Sequence, residues 1–340
     1  MKKDCRHCKP ASPNTQPKRR VTDMSHTDTA ILTASTADLT RAAAMLARGE
    51  TVAFPTETVY GLGADARSGP AVARIYAAKG RPTFNPLIAH VRDVASAKRY
   101  VTWTGTADRL AAAFWPGPLT LVLPLRADHG IASLVTAGLD TLAVRVPAHP
   151  AAQRLLALFD GPLAAPSANP SGRISATTAA HVLDGLGGRI AAVVDDGPCA
   201  VGLESTIIGL EGKDTTLLRP GGLPTETIEA VLGHSLGRRD QTEALTAPGQ
   251  MLSHYAPAAA VRLNATAARK GETLLGFGAM GCDLNLSRGA DLAEAASNLF
   301  AHLHKLDQTG RPIAIAPVPN TGLGVAINDR LRRAAAPRDR

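Results

Sequence analysis

The sequence has few aromatic residues and no long apolar run. Aromatics make up 4% of the 340 residues, so a surface of stacking rings interleaved with basic side chains, as used on single-stranded nucleic acid, is not expected. No run approaches the roughly 18 apolar residues that a membrane-spanning helix needs. The N-terminus also lacks the apolar core of a signal peptide. We therefore expect a cytoplasmic protein with no membrane partner.

Cysteine is also scarce, with four residues in the chain. Cys5 and Cys8 have the spacing of half a zinc site, but a structural zinc ion needs four ligands and no second pair lies nearby. Zinc binding there is the less favoured reading. Cys199 and Cys282 are far apart, and nothing in the spacing suggests a disulfide framework.

Positive charge is concentrated at the N-terminus. The net charge is +8, and the first twenty residues hold seven Lys and Arg residues against one acid. The rest of the chain is nearly balanced, so the basic character is weak support for nucleic-acid binding. We predict that residues 1–27 form a disordered basic tail. Met24 is an alternative start, which leaves open whether this tail is native.

The length and the 45% apolar content allow a sizeable core and two domains. We predict a first α/β domain over residues 28–232 and a linker over 233–257, where Gly, Arg, Gln, Thr and Pro prevail. Residues 258–340 are predicted to form a small α/β domain. In that domain, strands at 273–277 and 313–317 alternate with helices, as in a parallel sheet.

Segment 51–91 combines strands, turns and charged residues within a short stretch of sequence, as a binding site requires. A strand at 51–54 ends at Pro55, and a loop carrying Thr58 follows. We assign Gly61-Leu62-Gly63 to this loop, where glycine allows close backbone approach to a ligand. The segment lacks the third glycine of a dinucleotide fingerprint and the Gly-Lys-Ser/Thr ending of a P-loop, so neither usual nucleotide fold is supported.

A helix is predicted at 71–78. Two cations, Lys79 and Arg81, follow its C-terminal end in a Lys-Gly-Arg-Pro turn. Cations at a helix C-terminus complement the helix dipole, but a stiff turn holding two of them is also suited to gripping an anion. A second buried strand at 87–91 carries His90. Hydroxyls, two cations and an imidazole are thus predicted to converge.

The strand predicted at 141–147 contains Arg145. An unpaired guanidinium in such a strand is costly to bury. Arg145 therefore needs a bound anion, or else it meets a structural carboxylate or extends to water at the edge of the sheet. Arg219 ends another strand in the same way. With Lys79 and Arg81, these cations have the pattern of a pocket for a polyanion.

A polar turn at 167–172 follows another short strand and carries Ser167, with Ser175 just beyond. Its hydroxyls and amides suit phosphate oxygens, although Ser and Asn are also ordinary turn residues. The adjacent Asp195 and Asp196 suggest either magnesium or a turn, and the turn is the safer interpretation.

Several segments together resemble the YrdC-like threonylcarbamoyl-AMP synthases in their long form. The resemblance spans residues 30–335. It rests on PTETVYGLG, KGRPTFNPLIAHV, PSANPSG, GLESTII, LLRPGG, SHYAP and PVPNTGLGVAINDRL. It implies a YrdC-like twisted mixed sheet with flanking helices around a basic pocket, plus a small Rossmann-like parallel α/β C-terminal domain.

The resemblance also implies an activity. Such enzymes condense L-threonine, bicarbonate and ATP into L-threonylcarbamoyladenylate and release pyrophosphate. The product is handed to the tRNA threonylcarbamoyl transferase machinery, which modifies adenosine 37. Mg²⁺ is expected with the ATP. Triphosphate binding and pyrophosphate release need concentrated positive charge.

The implied site residues fall into four groups. Lys79, Arg81 and Arg145 are the candidate catalytic residues. Threonine is expected to contact Thr58, His90, Arg145 and Ser205. ATP is expected to contact Lys79, Arg81, Asn85, Thr141, Ser167, Ser175 and Arg219. Tyr255 would act as a lid from the linker. His90 is either a base or only a hydrogen-bond partner. Ala165 stands where some relatives carry a hydroxyl, so only backbone contact is expected there.

Two other functions are open at this point. An RNA-binding protein would use the basic tail and pocket on phosphate backbone without turning over ATP, and its binding would depend steeply on salt. A carbamoyl transferase of the larger relatives would usually carry zinc modules, which this sequence lacks. Threonine-dependent pyrophosphate release distinguishes the synthase from both.

Overall fold

The chain is described here from a computed structural model that covers residues 28–210, 214–238 and 254–337. The predicted basic tail at 1–27, with Cys5 and Cys8, lies outside these residues. Most of the predicted linker, from 239 to 253, lies outside them as well.

Two sheets are formed within the described residues. The first has 11 strands in the order β1-β8-β2-β3-β7-β4-β6-β5-β9-β10-β11, and the second has 4 strands in the order β12-β15-β13-β14. The strands are β1 Ala30–Thr33, β2 Val52–Phe54, β3 Gly61–Asp65, β4 Ile88–His90, β5 Leu119–Pro124, β6 Thr141–Arg145, β7 Leu163–Ala164, β8 Ala192–Asp195, β9 Thr206–Gly209, β10 Thr216–Arg219, β11 Gly237–Arg238, β12 Val261–Arg262, β13 Thr273–Gly276, β14 Leu284–Asn285 and β15 Ile313–Ile315.

Helices flank both sheets. They are α1 Thr36–Ala47, α2 Gly69–Lys79, α3 Val94–Ala97, α4 Gly105–Phe114, α5 Ser133–Thr136, α6 Pro150–Phe159, α7 Ala179–Leu186, α8 Thr225–Leu232, α9 Leu292–Asp307 and α10 Leu323–Ala335. Several begin with a side-chain cap. Ser35, for example, accepts from the backbone N–H of Asp38 at the start of α1, which satisfies an N–H that the helix leaves free.

The first sheet mixes both strand orientations. The β4–β6 and β5–β9 pairs are parallel, whereas β6 pairs antiparallel with β5 and β2 pairs antiparallel with β3. The three β-pairings of the second sheet are all parallel. The predicted fold class, a mixed sheet with helices and a small parallel α/β unit, is therefore confirmed.

The hydrophobic core is divided among several clusters, and one of them contains residues from both domains. Val59, Ile174 and Leu203 of the first domain pack in the same buried cluster as Leu299 and Phe300 of α9. Burying a Leu or Phe side chain contributes about 1.5–3 kcal/mol each. The C-terminal domain is thus attached to the first domain through apolar packing.

The assignment of Gly61-Leu62-Gly63 to a loop was wrong. These residues form β3 and pair with Val52–Phe54 of β2. Glycine is needed here for packing, because a Cβ on Gly63 would lie 2.8 Å from Cε1 of Phe54.

Several short elements were not predicted. Strands β12 and β14 have two residues each, too few to show an alternating pattern. Among the described residues, no helix is both long and apolar enough to cross a membrane.

Candidate active site

A polar cavity lies on one face of the first sheet and is bordered by the start of the C-terminal segment. Its empty space, including the part open to solvent, is about 540 Å³. The lining residues are Thr56, Thr58, Val59, Gly61, Arg81, Ile88, His90, Arg145, Ala165, Pro166, Ser167, Glu204, Ser205, Arg219, His254 and Tyr255.

His90 and Arg145 reach the cavity because β4 and β6 are adjacent and parallel. The register pairs His90 with Arg145 and Ile88 with Ala143. Since alternate side chains of a strand share a face, Ile88, His90, Ala143 and Arg145 all point to the same side of the sheet. Ile88 and Ala143 pack together there, and the two polar side chains stand at the ends of their strands.

Arg145 is held on three sides. Its Nη2 donates to Oε1 of Glu57 at 2.6 Å, its Nη1 to Oγ1 of Thr58 at 2.9 Å, and its Nε to the carbonyl of Gly117 at 3.1 Å. The ion pair is largely buried, with side-chain exposures of 4% for Arg145 and 12% for Glu57. The structural carboxylate considered for Arg145 is therefore present, and the guanidinium also borders the cavity.

Ser205 and Arg219 form a second polar wall. Ser205 follows the loop that leads into β9, and its hydroxyl lies 2.7 Å from that of Thr120. Arg219, at the end of β10, donates through Nη2 to the carbonyl of Ser205 at 2.8 Å. The antiparallel pairing of β9 and β10 brings these residues together.

The C-terminus of α2 places the Lys-Gly-Arg turn. Gly80 ends the helix in the left-handed region at φ 59°, which glycine adopts without a Cβ clash. Lys79 donates to the carbonyls of Ser167 and Asn169. Arg81 donates to the carbonyl of Pro86 at 2.9 Å. The turn is thus tied to both neighbouring loops.

Burial disfavours the charged forms of the cations at this end of the cavity. It lowers the pKa of Lys79 well below its usual value, with the nearby Arg81 adding to the effect. Burial also lowers the pKa of Arg81, to about 10, and that of Arg219. A ligand anion beside these groups would favour their charged forms.

His90 is a neutral imidazole. Burial, and then the charge of Arg145, lower its pKa to about 3. Among the described residues its Nδ1 has no hydrogen-bond partner. A buried polar atom of this kind is available to a ligand. A base with such a low pKa accepts protons poorly at neutral pH.

His254 and Tyr255 close one side of the cavity. Tyr255 is 1% exposed and has φ 61°, an uncommon conformation for a non-glycine residue. Its hydroxyl and Nδ1 of His254 have no hydrogen-bond partner within the part of the chain that is described. Burial and then the charges of Arg81 and Lys79 hold the pKa of His254 well below its usual value.

Glu204 connects the cavity wall to the C-terminal domain. Its Oε1 accepts from Oγ of Ser175 at 2.5 Å and its Oε2 from Nε of Arg330 at 2.8 Å. Burial alone would raise the pKa of Glu204, but the charges of Arg330 and Arg219 outweigh it and the pKa is lowered. Glu204 is therefore a carboxylate in this wall.

Eight of the twelve predicted site residues line the cavity: Thr58, Arg81, His90, Arg145, Ser167, Ser205, Arg219 and Tyr255. The other four do not. Lys79 and Asn85 lie just behind the lining, where the carbonyl of Asn85 accepts from Nε of Arg81 at 3.3 Å. Ser175 is fully buried against Glu204. Thr141 begins β6, at the opposite end of that strand from Arg145.

The site residues predicted from the sequence did not include five polar residues of this region: Thr56, Glu57, Glu204, His254 and Arg330. One signal pointed to Glu57, because Arg145 required a carboxylate and Glu57 belongs to the loop singled out for the site. His254 lies within SHYAP, beside the predicted Tyr255. Arg330 had no local signal, since it stands 126 residues from its partner Glu204.

The described residues offer no group of three or more His, Cys, Asp or Glu side chains arranged to hold a metal ion. Asp195 illustrates the alternative use of a carboxylate in a turn. Its Oδ1 accepts from the backbone N–H of Gly197 at 3.1 Å, as expected for the turn interpretation.

A YrdC-like domain with an appended parallel α/β domain is defined by this fold and cavity, and comparisons with known proteins agree. Residues 44–221 match the Sua5/YciO/YrdC family model, described as "Telomere recombination". Residues 223–336 match the model described as "Threonylcarbamoyl-AMP synthase, C-terminal domain". The chain belongs to the Sua5/YciO/YrdC family.

Two curated relatives are similar over most of their length. The chain is 41% identical to the threonylcarbamoyl-AMP synthase of Bacillus subtilis, over 88% of this chain and 93% of the relative. It is 42% identical to the threonylcarbamoyl-AMP synthase of Pyrococcus abyssi, over 86% and 93%. A crystal structure of P. abyssi Sua5 complexed with L-threonine superposes with a TM-score of 0.84 at 39% identity, covering 90% of this chain and 98% of that one.

Proposed function

We propose that the chain is an L-threonylcarbamoyladenylate synthase, which forms threonylcarbamoyl-AMP and pyrophosphate from L-threonine, bicarbonate and ATP. Two relatives matched over 86–88% of this chain and 93% of their own length carry the name threonylcarbamoyl-AMP synthase. The observation that carries the proposal is one cavity bordered by Arg145 with His90 and also by Arg81 with Arg219. Such a cavity offers separate cationic groups to a small zwitterion and to a polyphosphate.

The threonine end is assigned to Arg145 and its neighbours. A guanidinium holds a carboxylate through charge-assisted hydrogen bonds, and Glu57 and Thr58 fix the orientation of Arg145. The hydroxyls of Thr58 and Ser205 and the unpartnered Nδ1 of His90 supply polar contacts for the rest of the amino acid. A structure of the P. abyssi relative with L-threonine supports this ligand.

The ATP end is assigned to the opposite cations. Arg81, Arg219 and Ser167 border the cavity, and Lys79 is held directly behind Ser167. Stabilising the charge that develops on the leaving pyrophosphate is the main task of such a site. Asn85 acts by fixing Arg81. We assign Thr141 and Ser175 to ATP on the resemblance alone.

The reaction needs no nucleophilic side chain. The amine of threonine attacks bicarbonate, and loss of water gives the N-carboxylate of threonine. One oxygen of this carbamate then attacks the α-phosphorus of ATP, the bond from that phosphorus to the bridging β-oxygen breaks, and pyrophosphate leaves with the electron pair. The protein holds the reactants in line. It also excludes water, which would decompose the carbamate.

The roles of His90 and Tyr255 follow from their surroundings. A pKa of about 3 makes His90 a hydrogen-bond partner to the substrate and not its base. The buried Tyr255 covers the cavity as a lid residue. Substrate amine and carbamate protons are transferred to bicarbonate oxygen and water.

Mg²⁺ is proposed as part of the MgATP substrate. Glu204 lines the cavity, and Glu57 borders it through its ion pair with Arg145. Both carboxylates are engaged by arginines, so phosphate oxygens would supply the ligands that Mg²⁺ prefers. In this role the ion neutralises charge on the triphosphate.

The product would be consumed by the tRNA threonylcarbamoyl transferase machinery, since a mixed carbamoyl-phosphate anhydride is an activated acyl donor. We place both steps in the cytoplasm, where ATP and tRNA occur together. Contact with RNA, the alternative considered from the sequence, is not favoured by any group of the described cavity.

The test is an assay of pyrophosphate release from ATP and bicarbonate with single amino acids. We expect release with threonine, and far less with valine, because a site that hydrogen-bonds a substrate hydroxyl rejects an analogue lacking it. Omitting bicarbonate should stop the reaction. Release that does not depend on threonine would contradict the proposal, and salt-sensitive RNA binding without turnover would favour the alternative.

A further inference from the structure

Ser175 is held by the C-terminal domain on both its backbone and its side chain. From α9, Nε2 of His304 lies 3.1 Å from the carbonyl of Ser175. From α10, Arg330 binds Glu204, and Glu204 accepts the hydroxyl of Ser175. Two helices of the second domain thus converge on one residue of the first.

Arg330 is fixed in place by several groups. It is 0% exposed, its Nη1 donates to Oδ2 of Asp329 at 2.7 Å, and its guanidinium carbon lies 5.0 Å from the centre of the Tyr255 ring. Within the described residues its Nη2 has no hydrogen-bond partner. Burying a guanidinium completely costs free energy unless ion pairs and hydrogen bonds compensate for its lost hydration. Arg330, which bridges two domains, therefore depends on its pairing.

His304, like Arg330, is held in place by a neighbouring side chain. Its ring stacks on that of His181 from α7, with 3.9 Å between centroids and 15° between planes. Burial, and then the neighbouring His304, lower the pKa of His181 to about 4, and burial lowers the pKa of His304. Both rings are therefore neutral near pH 7, which leaves one nitrogen of His304 to donate to Ser175.

We propose that Arg330 is a positioning residue for nucleotide binding. Its guanidinium holds Glu204 against Ser175, and this fixes the cavity wall. The next residue in that wall, Ser205, receives the hydrogen bonds of Arg219. His304 supports the same wall through the backbone of Ser175. The C-terminal domain thereby acts on the ATP end of the site without touching ATP. This inference rests on the proposed assignment of Ser175 and Arg219 to ATP.

The test compares Arg330→Met, Arg330→Lys and Glu204→Gln with Arg332→Met, a control at an exposed position of the same helix. We expect Arg330→Met to raise KM for ATP about tenfold or more, while KM for threonine changes less than about threefold. Arg330→Lys should recover part of this loss, because it restores the charge but not the fork. The control should match the wild type.

A double variant, Arg330→Met with Glu204→Gln, keeps the test valid if the single variant folds poorly, because it leaves no charged carboxylate facing a missing guanidinium. Its effect on KM for ATP should be less than the product of the two single effects, since both act in one unit. In parallel, His304→Leu should raise KM for ATP and His304→Gln, which retains a donor, should raise it less.

A merely structural role would lower the melting temperature and kcat and leave KM for ATP unchanged, and that result would overturn the inference. Equal increases in KM for ATP and threonine would overturn it as well. ATP affinity measured by calorimetry separates this outcome from failure of the proposed function. If the wild type binds ATP but releases no pyrophosphate with threonine, the function is wrong, and the ATP affinities still decide the role of Arg330.

Discussion

Glu57 and Arg145 form a largely buried ion pair, with 2.6 Å between Oε1 and Nη2. Glu57 lies in the loop that follows β2 and Arg145 ends β6, and the two meet at the border of the cavity. Oε2 of Glu57 is used as well, since it accepts from the backbone N–H of Ala148 at 3.1 Å. Glu57 therefore orients the guanidinium and is itself fixed by the chain that follows β6.

Arg145→Ala should abolish adenylate formation with threonine, because the variant loses the proposed carboxylate partner. Glu57→Gln should keep the fold and lower kcat/KM for threonine about 10–100-fold, since a misplaced guanidinium binds a carboxylate poorly. Pyrophosphate release at varied threonine concentration measures both. Arg92→Ala, which removes exposed pairs with Asp93 and Asp160, is the control and should change kcat/KM less than about twofold. Normal turnover by Arg145→Ala would refute the assignment.

His90 should make stability depend on pH. Its pKa is about 3 in the folded protein, against an ordinary value of 6.5. The unfolded chain therefore takes up a proton that the folded protein does not. The stability contributed by neutral His90 is complete above about pH 6.5 and is lost as the pH falls toward 3, with a slope of up to about 1.4 kcal/mol per pH unit.

In His90→Gln the free energy of unfolding should fall less steeply between about pH 6.5 and pH 4 than in the wild type. Urea unfolding across this range measures the difference. His234→Gln alters an exposed residue and should give a curve parallel to the wild type. Identical slopes for His90→Gln and the wild type would mean that His90 is protonated in the folded protein.

The site residues that could be identified from the local sequence were charged residues placed in apolar strands or in a rigid turn. Arg145 and Arg219 stood out because a charge in an apolar strand requires a partner, and Lys79 and Arg81 stood out because Gly and Pro hold them in one turn. These features are local, so the sequence alone indicated a cationic pocket. The α/β class followed from the alternation of apolar strands and helices.

The rest depended on contacts between distant segments. Arg330 and Glu204 are separated by 126 residues, and no spacing rule joins them. Gly61 and Gly63 were misassigned because glycine serves a loop and a crowded strand equally well, and only the position of Phe54 decides between them. Thr141 is not among the residues that line the cavity, and its assignment to ATP came from the resemblance and not from the residues themselves.

Gly63→Ala should destabilise the fold by about 1–3 kcal/mol through overpacking. A Cβ there would lie 2.8 Å from Cε1 of Phe54 and 3.2 Å from the carbonyl of Val52, and Phe54 is 1% exposed. Gly69→Ala is the matched control, since a Cβ on Gly69 meets nothing within 4 Å at the start of α2. We expect it to be neutral or stabilising by about 0.4–1 kcal/mol. Thermal and urea unfolding compare the two, and equal stabilities would contradict the packing role of Gly63.

Tyr255→Phe should lower activity without lowering stability. Among the described residues the Tyr255 hydroxyl has no hydrogen-bond partner although it is buried, so removing it should leave stability unchanged or raise it by up to about 1 kcal/mol. If this hydroxyl meets the substrates, kcat/KM should fall about tenfold. Tyr76→Phe is the comparison, because the Tyr76 hydroxyl donates to the carbonyl of Leu134 at 2.9 Å, and its loss should cost about 1 kcal/mol. A Tyr255→Phe variant that is fully active would limit the lid role of Tyr255 to its ring, which packs 5.6 Å from that of Phe300.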